Sequence, residues 1–163
     1  MDIHSYVSSF SAIPTDWIII AVLLGLATFD AFRAGTGKIT TIALSSLLTP
    51  VMLEAARSAA LFSTLYGSFS TPMLQAVLFA IVFVMLYFLL RRMTTDYALD
   101  GVHPLSAVIA SSAAVAIVLV VWIHTSALQS LSQFGPPLQT LFGDPYRLWW
   151  MAGGLVVLTF TRD

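Results

Sequence analysis

The sequence has no cysteine, and only 9% of its 163 residues carry a formal charge. Without cysteine the chain forms no disulfide, holds no thiolate-bound metal and offers no cysteine nucleophile. Soluble domains carry about 25% charged residues, so this chain is too poor in charge for an ordinary soluble domain. The net charge of −1 and the lack of a basic run give no sign of nucleic-acid binding.

Histidine is scarce as well, with three in the chain. Asp96, Asp100 and His103 have the side chains of a cation site, but Gly101 and Pro104 interrupt the helix that would align them. We therefore expect no metal site and no cofactor. No acid and base are paired in the manner of a catalytic centre, so we expect a protein that is not an enzyme.

What the sequence does have is apolar length. Hydrophobic residues make up 58% of the chain, and the mean hydropathy is +0.91. Since a membrane helix needs about 20 apolar residues, the sequence predicts an all-α, polytopic integral membrane protein with one membrane domain. It has four transmembrane helices and a short fifth, C-terminal helix. The predicted spans are 17–33, 37–66, 72–91 and 105–124, followed by surface amphipathic helices over 126–142 and a C-terminal helix over 145–161.

The first predicted span begins beside polar residues. Thr15 or Asp16 is expected to be its N-cap, because a side-chain oxygen there can accept from a free N–H of the first turn. Trp17 then lies at the membrane boundary, where indole rings are favoured. The apolar run is followed by Asp30 instead of a small-residue cleavage site, so we expect a retained anchor.

A charged, glycine-containing segment follows this span. Asp30 and Arg33 are three residues apart, so on a helix they share one face and can pair. Gly35 and Gly37 permit a tight chain reversal, because glycine tolerates positive φ, and Lys38 follows. The segment predicts an interfacial hairpin between the first two helices. It lacks the spacing of a phosphate-binding loop, so we expect no nucleotide site.

The second predicted helix carries polar groups in an apolar stretch. Pro50 lacks a backbone N–H and is expected to kink or break the helix. Glu54 and Arg57 follow on one face as an intramembrane polar pair. Because a charge near the bilayer centre costs roughly 2.5–3.5 kcal/mol, this face must turn toward protein or water. The pair either neutralises itself and fixes how helices dock, which we favour, or lines a permeation or proton path.

Basic residues give the expected orientation. Arg33 and Lys38 follow the first span, and Arg91 and Arg92 follow the third. Since Lys and Arg are concentrated in cytoplasmic loops, both loops should face the cytoplasm, with Arg91 and Arg92 as topology anchors. Two spans separate these loops, so the assignment is self-consistent.

The C-terminal helix has its own signals. Asp144 and Pro145 suit an N-cap followed by the first helical position. Gly153 and Gly154 either allow a close helix contact or form a weak point. Its apolar length is marginal for a full span, so the sequence leaves open whether this helix crosses the bilayer.

Residues 16–38 resemble the start of the CvpA family (colicin V production protein). Asp16 precedes an apolar span, and the letters FDAFRAG over 29–35 stand where that family has a turn of G-F-R-x-G type. The outline continues over roughly 15–125, with a third span ending in basic residues, the letters LDG over 99–101 and a fourth span rich in small residues. Asp30 stands where the family usually has glycine. The resemblance implies a bacterial inner-membrane protein linked to export and envelope maintenance, with no established enzymatic chemistry.

Two functions follow as hypotheses. The leading one is a non-enzymatic protein of the inner (cytoplasmic) membrane that assists export or envelope maintenance. Its partners would be the lipid bilayer and other membrane proteins or a second copy of itself, without nucleic acid. The alternative is a channel or small transporter subunit with a polar path along the kinked second helix, since transporters often place a discontinuous helix at the site. That reading needs Glu54 to face water.

Overall fold

The structure is a computed structural model that describes residues 14–59, 71–94, 104–131 and 134–161. Over these ranges the chain forms seven α-helices and no strand. The helices are α1 (Thr15–Ala34), α2 (Thr36–Ser58), α3 (Pro72–Thr94), α4 (Pro104–His124), α5 (Ser126–Gln129), α6 (Pro136–Leu141) and α7 (Asp144–Phe160).

Four of these helices, α1 to α4, are long and apolar enough to cross a membrane. A helix of 20 residues is about 30 Å long, the thickness of the hydrocarbon core, and α1 to α4 have 20 to 23 residues each. The fold class predicted from the sequence is therefore confirmed: the protein is all-α, with four candidate spans and a further C-terminal helix.

Helix α4 is the centre of the bundle. Of its apolar stretch 61% is buried, against 6% for α1 and 11% for α3. It packs against α1, α2 and α7, while α3 packs mainly against α2. Small side chains on α4 allow this close approach, because backbones can come near one another where side chains are short. The buried small residues are Ala107, Ala110, Ser111, Ala113 and Ala114.

The core contacts show that neighbouring helices run in opposite directions. Ala31 near the end of α1 and Ile39 near the start of α2 belong to one core cluster with Ala107 near the start of α4. Leu53 near the end of α2 and Phe79 near the start of α3 belong to another, with Val121 near the end of α4. The two ends of the bundle are thereby defined.

The two ends differ in charge. We call the end where α1 and α3 finish the basic end, and its charged residues within the described ranges are Asp30, Arg33, Lys38, Arg91 and Arg92. We call the other end the acidic end, and its charged residues within those ranges are Asp16, Glu54, Arg57, Asp144 and Arg147. Both basic segments thus lie at the same end, as the orientation argument requires.

Helix α7 runs back along α4. It begins at the acidic end, where Asp144 contacts His124, and its Gly154 lies against Ile117. Leu158, near its end, belongs to the core cluster that contains Ala31. Helix α7 therefore extends along α4 from the acidic end to the cluster beside the basic end.

The second helix differs from its prediction in two ways. It continues through Pro50, so the predicted break is wrong, and it ends at Ser58, where the prediction ran to residue 66. Ala59 already has an extended backbone, with φ −79° and ψ 124°. At 23 residues the helix is about 34 Å long, which suffices for one crossing. Pro50 removes one hydrogen bond, whereas a break in lipid would free several backbone groups.

The acidic end is covered by the short helices α5 and α6. Leu138 and Phe142 pack with Leu119, Val120 and Ile123 near the end of α4. The Gly135 N–H, just before α6, donates to Asp16 Oδ2 at 2.5 Å. Asp16 is therefore a link between α1 and this cover, and the predicted cap is wrong: α1 follows Pro14 and has no side-chain cap.

Candidate functional site

The predicted intramembrane pair lies at the edge of the bundle. Arg57 Nη1 and Glu54 Oε2 are 3.3 Å apart, and their side chains are 44% and 76% exposed. Glu54 is four residues before Ser58, or about 6 Å along the axis, so the pair lies at the acidic end. The structure therefore places this pair near the end of α2, with both side chains on the outer face of the bundle and not in its interior.

The buried polar groups of α2 are hydroxyls instead. Thr41, Ser45 and Thr49 donate to the carbonyls four residues earlier at 2.7 to 2.8 Å, and Ser46 donates to Ala43 at 2.8 Å. Such bonds satisfy a hydroxyl within its own helix. This face of α2 is therefore polar in composition but is closed by packing, and the described residues offer no charged group along it.

One buried hydroxyl of α4 differs from these. Among the described residues, Ser111 is the buried side chain whose hydroxyl has no hydrogen-bond partner. Its neighbour Ser112 is exposed and donates to the Val108 carbonyl at 2.8 Å. A buried hydroxyl without a partner destabilises a fold, so Ser111 is a specific weak point in the central helix.

The interfacial hairpin has a different ion pair from the predicted one. Lys38 Nζ lies 2.7 Å from Asp30 Oδ2, across the turn, whereas Arg33 is exposed. Gly35 has φ 86° and ψ 160°, a backbone conformation that favours glycine. This turn brings the first turn of α2 beside the last turn of α1, which places Lys38 at Asp30. Gly37 lies inside α2 and has open space around it.

The two arginines that end α3 also differ. Arg91 Nη1 lies 3.4 Å from the Tyr87 hydroxyl oxygen, and its guanidinium carbon is 5.9 Å from the Tyr87 ring centre. Arg91 is thus folded back along its own helix, which is a cation–π arrangement. Arg92 is exposed. Their role as topology anchors stays a prediction.

The candidate site that the structure adds is an open polar cleft at the acidic end. Its volume is about 670 Å³. It lies between the end of α4, the segment that carries α5 and α6, and the start of α7. We call that segment, residues 125–131 and 134–143, the covering segment. The lining residues are Ile123, His124, Gln129, Gln139, Thr140, Gly143, Asp144, Pro145, Tyr146 and Arg147.

Both ring nitrogens of His124 make polar contacts at the cleft. Its Nδ1 lies 2.8 Å from the Val120 carbonyl oxygen, and its Nε2 lies 3.1 Å from Asp144 Oδ1. The Val120 carbonyl oxygen can only accept, so Nδ1 must carry the proton of that hydrogen bond. The contact with Asp144 is also a hydrogen bond when either Nε2 or the Asp144 carboxyl carries a proton. His124 therefore joins the end of α4 to the start of α7.

The other polar groups of the cleft mainly hold its walls. Gln129 donates to the Ile123 carbonyl, and Gln139 donates to the Phe134 carbonyl at 2.7 Å. The Thr140 hydroxyl donates to the Pro136 carbonyl at 2.9 Å. Because these side chains donate to backbone carbonyls, they stabilise the covering segment. The cleft contains no nucleophile paired with a base.

Metal binding has no candidate in the part of the chain that the structure covers. No three histidine, aspartate or glutamate side chains come together there. The triplet of Asp96, Asp100 and His103 lies outside the described residues.

The cleft was missed at the sequence level for a simple reason. His124 and Asp144 are 20 residues apart, and the segment between them has an irregular pattern. A usable signal was present: His124 ends a span, and Asp144 with Pro145 starts the next helix. Two helices joined by a short covering segment must bring those residues near each other.

Comparison with family models, curated proteins and solved structures finds no match. The resemblance to the CvpA family over roughly 15–125 therefore stays a prediction.

Proposed function

We propose that the protein is a non-enzymatic protein of the inner (cytoplasmic) membrane that assists export or envelope maintenance. It acts by stable association with other membrane proteins. The observation that carries this proposal is the contrast between a closed interior and two largely uncovered helices, α1 and α3.

The closed interior supports an assembly role. The buried hydroxyls of α2 are bonded within their own helix, and the small residues of α4 fill the centre of the bundle. The chemistry of the polar cleft also points away from catalysis, because its amides and hydroxyl hold backbone carbonyls. What the protein presents to its surroundings is therefore mainly shape and apolar surface.

The uncovered helices supply that surface. Large apolar side chains project from nearly the whole length of α1 and α3. Lipid covers such surfaces by default, and another membrane helix replaces lipid where packing is favourable. Exposed side chains on α1 include Val22, Leu26, Phe29 and Phe32, and those on α3 include Met73, Val77, Ile81, Met85 and Phe88.

The charge asymmetry supports an orientation with the basic end in the cytoplasm. Within the described ranges, four of the five charged groups at the basic end are cations, and three of the five at the acidic end are carboxylates. A membrane protein whose Lys and Arg lie at one end is normally oriented with that end in the cytoplasm. The polar cleft would then face the opposite compartment.

The alternative, a channel or small transporter subunit, has less support. Helix α2 is not broken at Pro50, and Glu54 lies on the outer surface. A path lined by Glu54 would need several copies arranged around a shared axis. Ion flux that depends on Glu54, measured in a purified homo-oligomer, is the result that would favour this alternative.

The proposed function is tested by deleting the gene for the protein in its own host. We expect loss of the chain to reduce export of a secreted reporter or to raise sensitivity of the envelope to detergent. Restoring the intact chain should reverse the defect, and a chain with the outward-facing substitution Gly153→Ala should reverse it equally. Normal export and normal envelope resistance in the deletion strain, under several growth conditions, would contradict the proposal.

A further inference from the structure

Within the described ranges, the basic end of the bundle has more cations than carboxylates. Asp30 is the carboxylate of this end within the described ranges, and it is held by Lys38 at 2.7 Å. Arg33, Arg91 and Arg92 are the other charged residues of this end within those ranges. At the acidic end, by contrast, Arg57 faces Glu54 at 3.3 Å, so the two ends present different chemistry to the lipid headgroups beside them.

Among the described residues, Arg33 has no carboxylate partner because of the geometry of the first hairpin. The Gly35 turn brings Lys38 to Asp30, the residue that Arg33 would otherwise reach on its own helix. Arg33 is exposed in the last turn of α1. Its guanidinium therefore projects from the bundle surface, next to the end of an apolar span.

Arg92 occupies the matching position on α3. Arg91 is folded back onto Tyr87, whereas Arg92 is exposed in the last turn. Leu47 of α2 packs in the same cluster as Phe83 of α3. Lys38 is nine residues before Leu47, and Arg92 is nine residues after Phe83, both in the direction of the basic end. Arg92 thus lies at the depth of the hairpin, with α2 packed between α1 and α3.

We propose that Arg33 and Arg92 bind the phosphate groups of anionic phospholipids at the basic end. Both guanidinium groups lie where an apolar helix face meets its polar end, which is the depth of a lipid phosphate when the apolar face is in the acyl chains. Arginine presents a planar set of donors that matches a phosphate bidentately. The partner is thus an anionic phospholipid on each side of the hairpin.

The size of the effect follows from surface electrostatics. One basic side chain near an anionic leaflet changes the binding equilibrium about fivefold. The two sites are independent, so the loss of each arginine should lower the preference at its own site about fivefold, which is visible in a competition between lipids. This inference does not depend on the proposed function, because it concerns only the lipid contacts of the chain.

The experiment uses the full chain in nanodiscs with equal amounts of phosphatidylglycerol and phosphatidylcholine of matched acyl chains. Native mass spectrometry counts the lipids retained after gentle release. We expect the wild-type chain to retain phosphatidylglycerol in preference. The Arg33→Gln/Arg92→Gln variant should lower that preference by about fivefold or more. Glu54→Gln/Arg57→Gln, which removes the paired charges of the acidic end without changing the net charge, is the matched control and should leave the preference unchanged.

Further variants keep the test decisive. Arg33→Lys/Arg92→Lys keeps both charges and should retain part of the preference, which separates charge from guanidinium geometry. If the double variant does not fold, each single Arg→Gln variant should still lower the preference. No preference in the wild type, no change in the Arg→Gln variants of Arg33 and Arg92, or an equal loss in the Glu54→Gln/Arg57→Gln control would overturn the proposal.

Discussion

Gly154 of α7 lies directly against Ile117 of α4. A Cβ atom at Gly154 would come within 2.8 Å of Ile117 Cδ1 and 3.5 Å of the Ala113 carbonyl oxygen, whereas a Cβ at Gly153 would meet nothing within 4 Å. Of the two roles the sequence left open for this glycine pair, the close helix contact is present, and Gly154 makes it. Helix α7 is thereby held against the central helix.

This difference gives a matched pair of variants. Gly154→Ala should destabilise the protein by about 1–3 kcal/mol, because an added methyl group in a tight contact forces neighbouring atoms to shift. Gly153→Ala should change stability by less than about 1 kcal/mol. Thermal unfolding in detergent, followed by circular dichroism, measures both. Equal stability of the two variants would show that α7 does not pack on α4 as described.

The course of α7 also predicts on which side of the membrane the residues after it lie. Because α7 starts at the acidic end and Leu158 reaches the cluster of Ala31, a reporter fused after Asp163 should lie on the same side as one inserted at Asp100. Paired reporters, one active only in the cytoplasm and one only outside, measure this. Reporters on opposite sides would mean that α7 does not cross the membrane and that its two ends lie on the same side.

The hairpin pair is tested by a double-mutant cycle on Asp30→Asn and Lys38→Gln. The two side chains are about one-third exposed, so solvent screens their attraction, and we expect a coupling energy of about 0.2–1 kcal/mol. The same cycle on Asp30→Asn and Arg33→Gln should give no coupling. Coupling to Arg33 instead of Lys38 would restore the pairing first expected from the sequence.

Ser111 offers a substitution that should stabilise the protein. Its buried hydroxyl has no partner among the described residues, so Ser111→Ala removes a polar group whose burial costs about 1–3 kcal/mol. Ser112→Ala, on the exposed face, should change little. Unfolding temperatures of both variants decide the matter, and a less stable Ser111→Ala would indicate that this hydroxyl is bonded in the membrane.

Glu54 separates two accounts of the second helix. Since Glu54 is 76% exposed at the acidic end, Glu54→Leu should express at the wild-type level and unfold within about 1 kcal/mol of it. Western blotting of membranes and thermal unfolding provide the measurements. Loss of the folded protein would indicate that Arg57 is left buried and uncompensated, as the intramembrane reading requires.

Individual residues show which helices and helix ends could be predicted from the sequence. The four spans followed from apolar length, and the C-terminal helix followed from the apolar run after Pro145. Its predicted N-cap is wrong: Gly143 is the N-cap, Asp144 is the first helical residue, and there is no side-chain cap. The end of α2 did not follow from the sequence, because hydropathy continues beyond Ser58 although the backbone turns away at Ala59. Apolar length shows that a helix can cross, but it does not show where the helix stops.

Contacts across turns were the other gap. Three-residue spacing paired Asp30 with Arg33, but the turn at Gly35 gives Asp30 a better partner in Lys38. Likewise the His124 contact with Asp144 spans 20 residues and depends on how the covering segment folds. Pairs on one helix can be predicted from spacing, whereas pairs between helices depend on the tertiary geometry.

The most direct test of the assembly role is native mass spectrometry of the chain extracted with its surrounding lipid from its own membrane. The account predicts foreign membrane proteins co-isolated in fixed proportion to the chain. It also predicts their loss when Phe29 and Phe32, exposed on α1, are both changed to alanine, with the fold retained. A chain that is isolated alone, or only as copies of itself, would contradict the account.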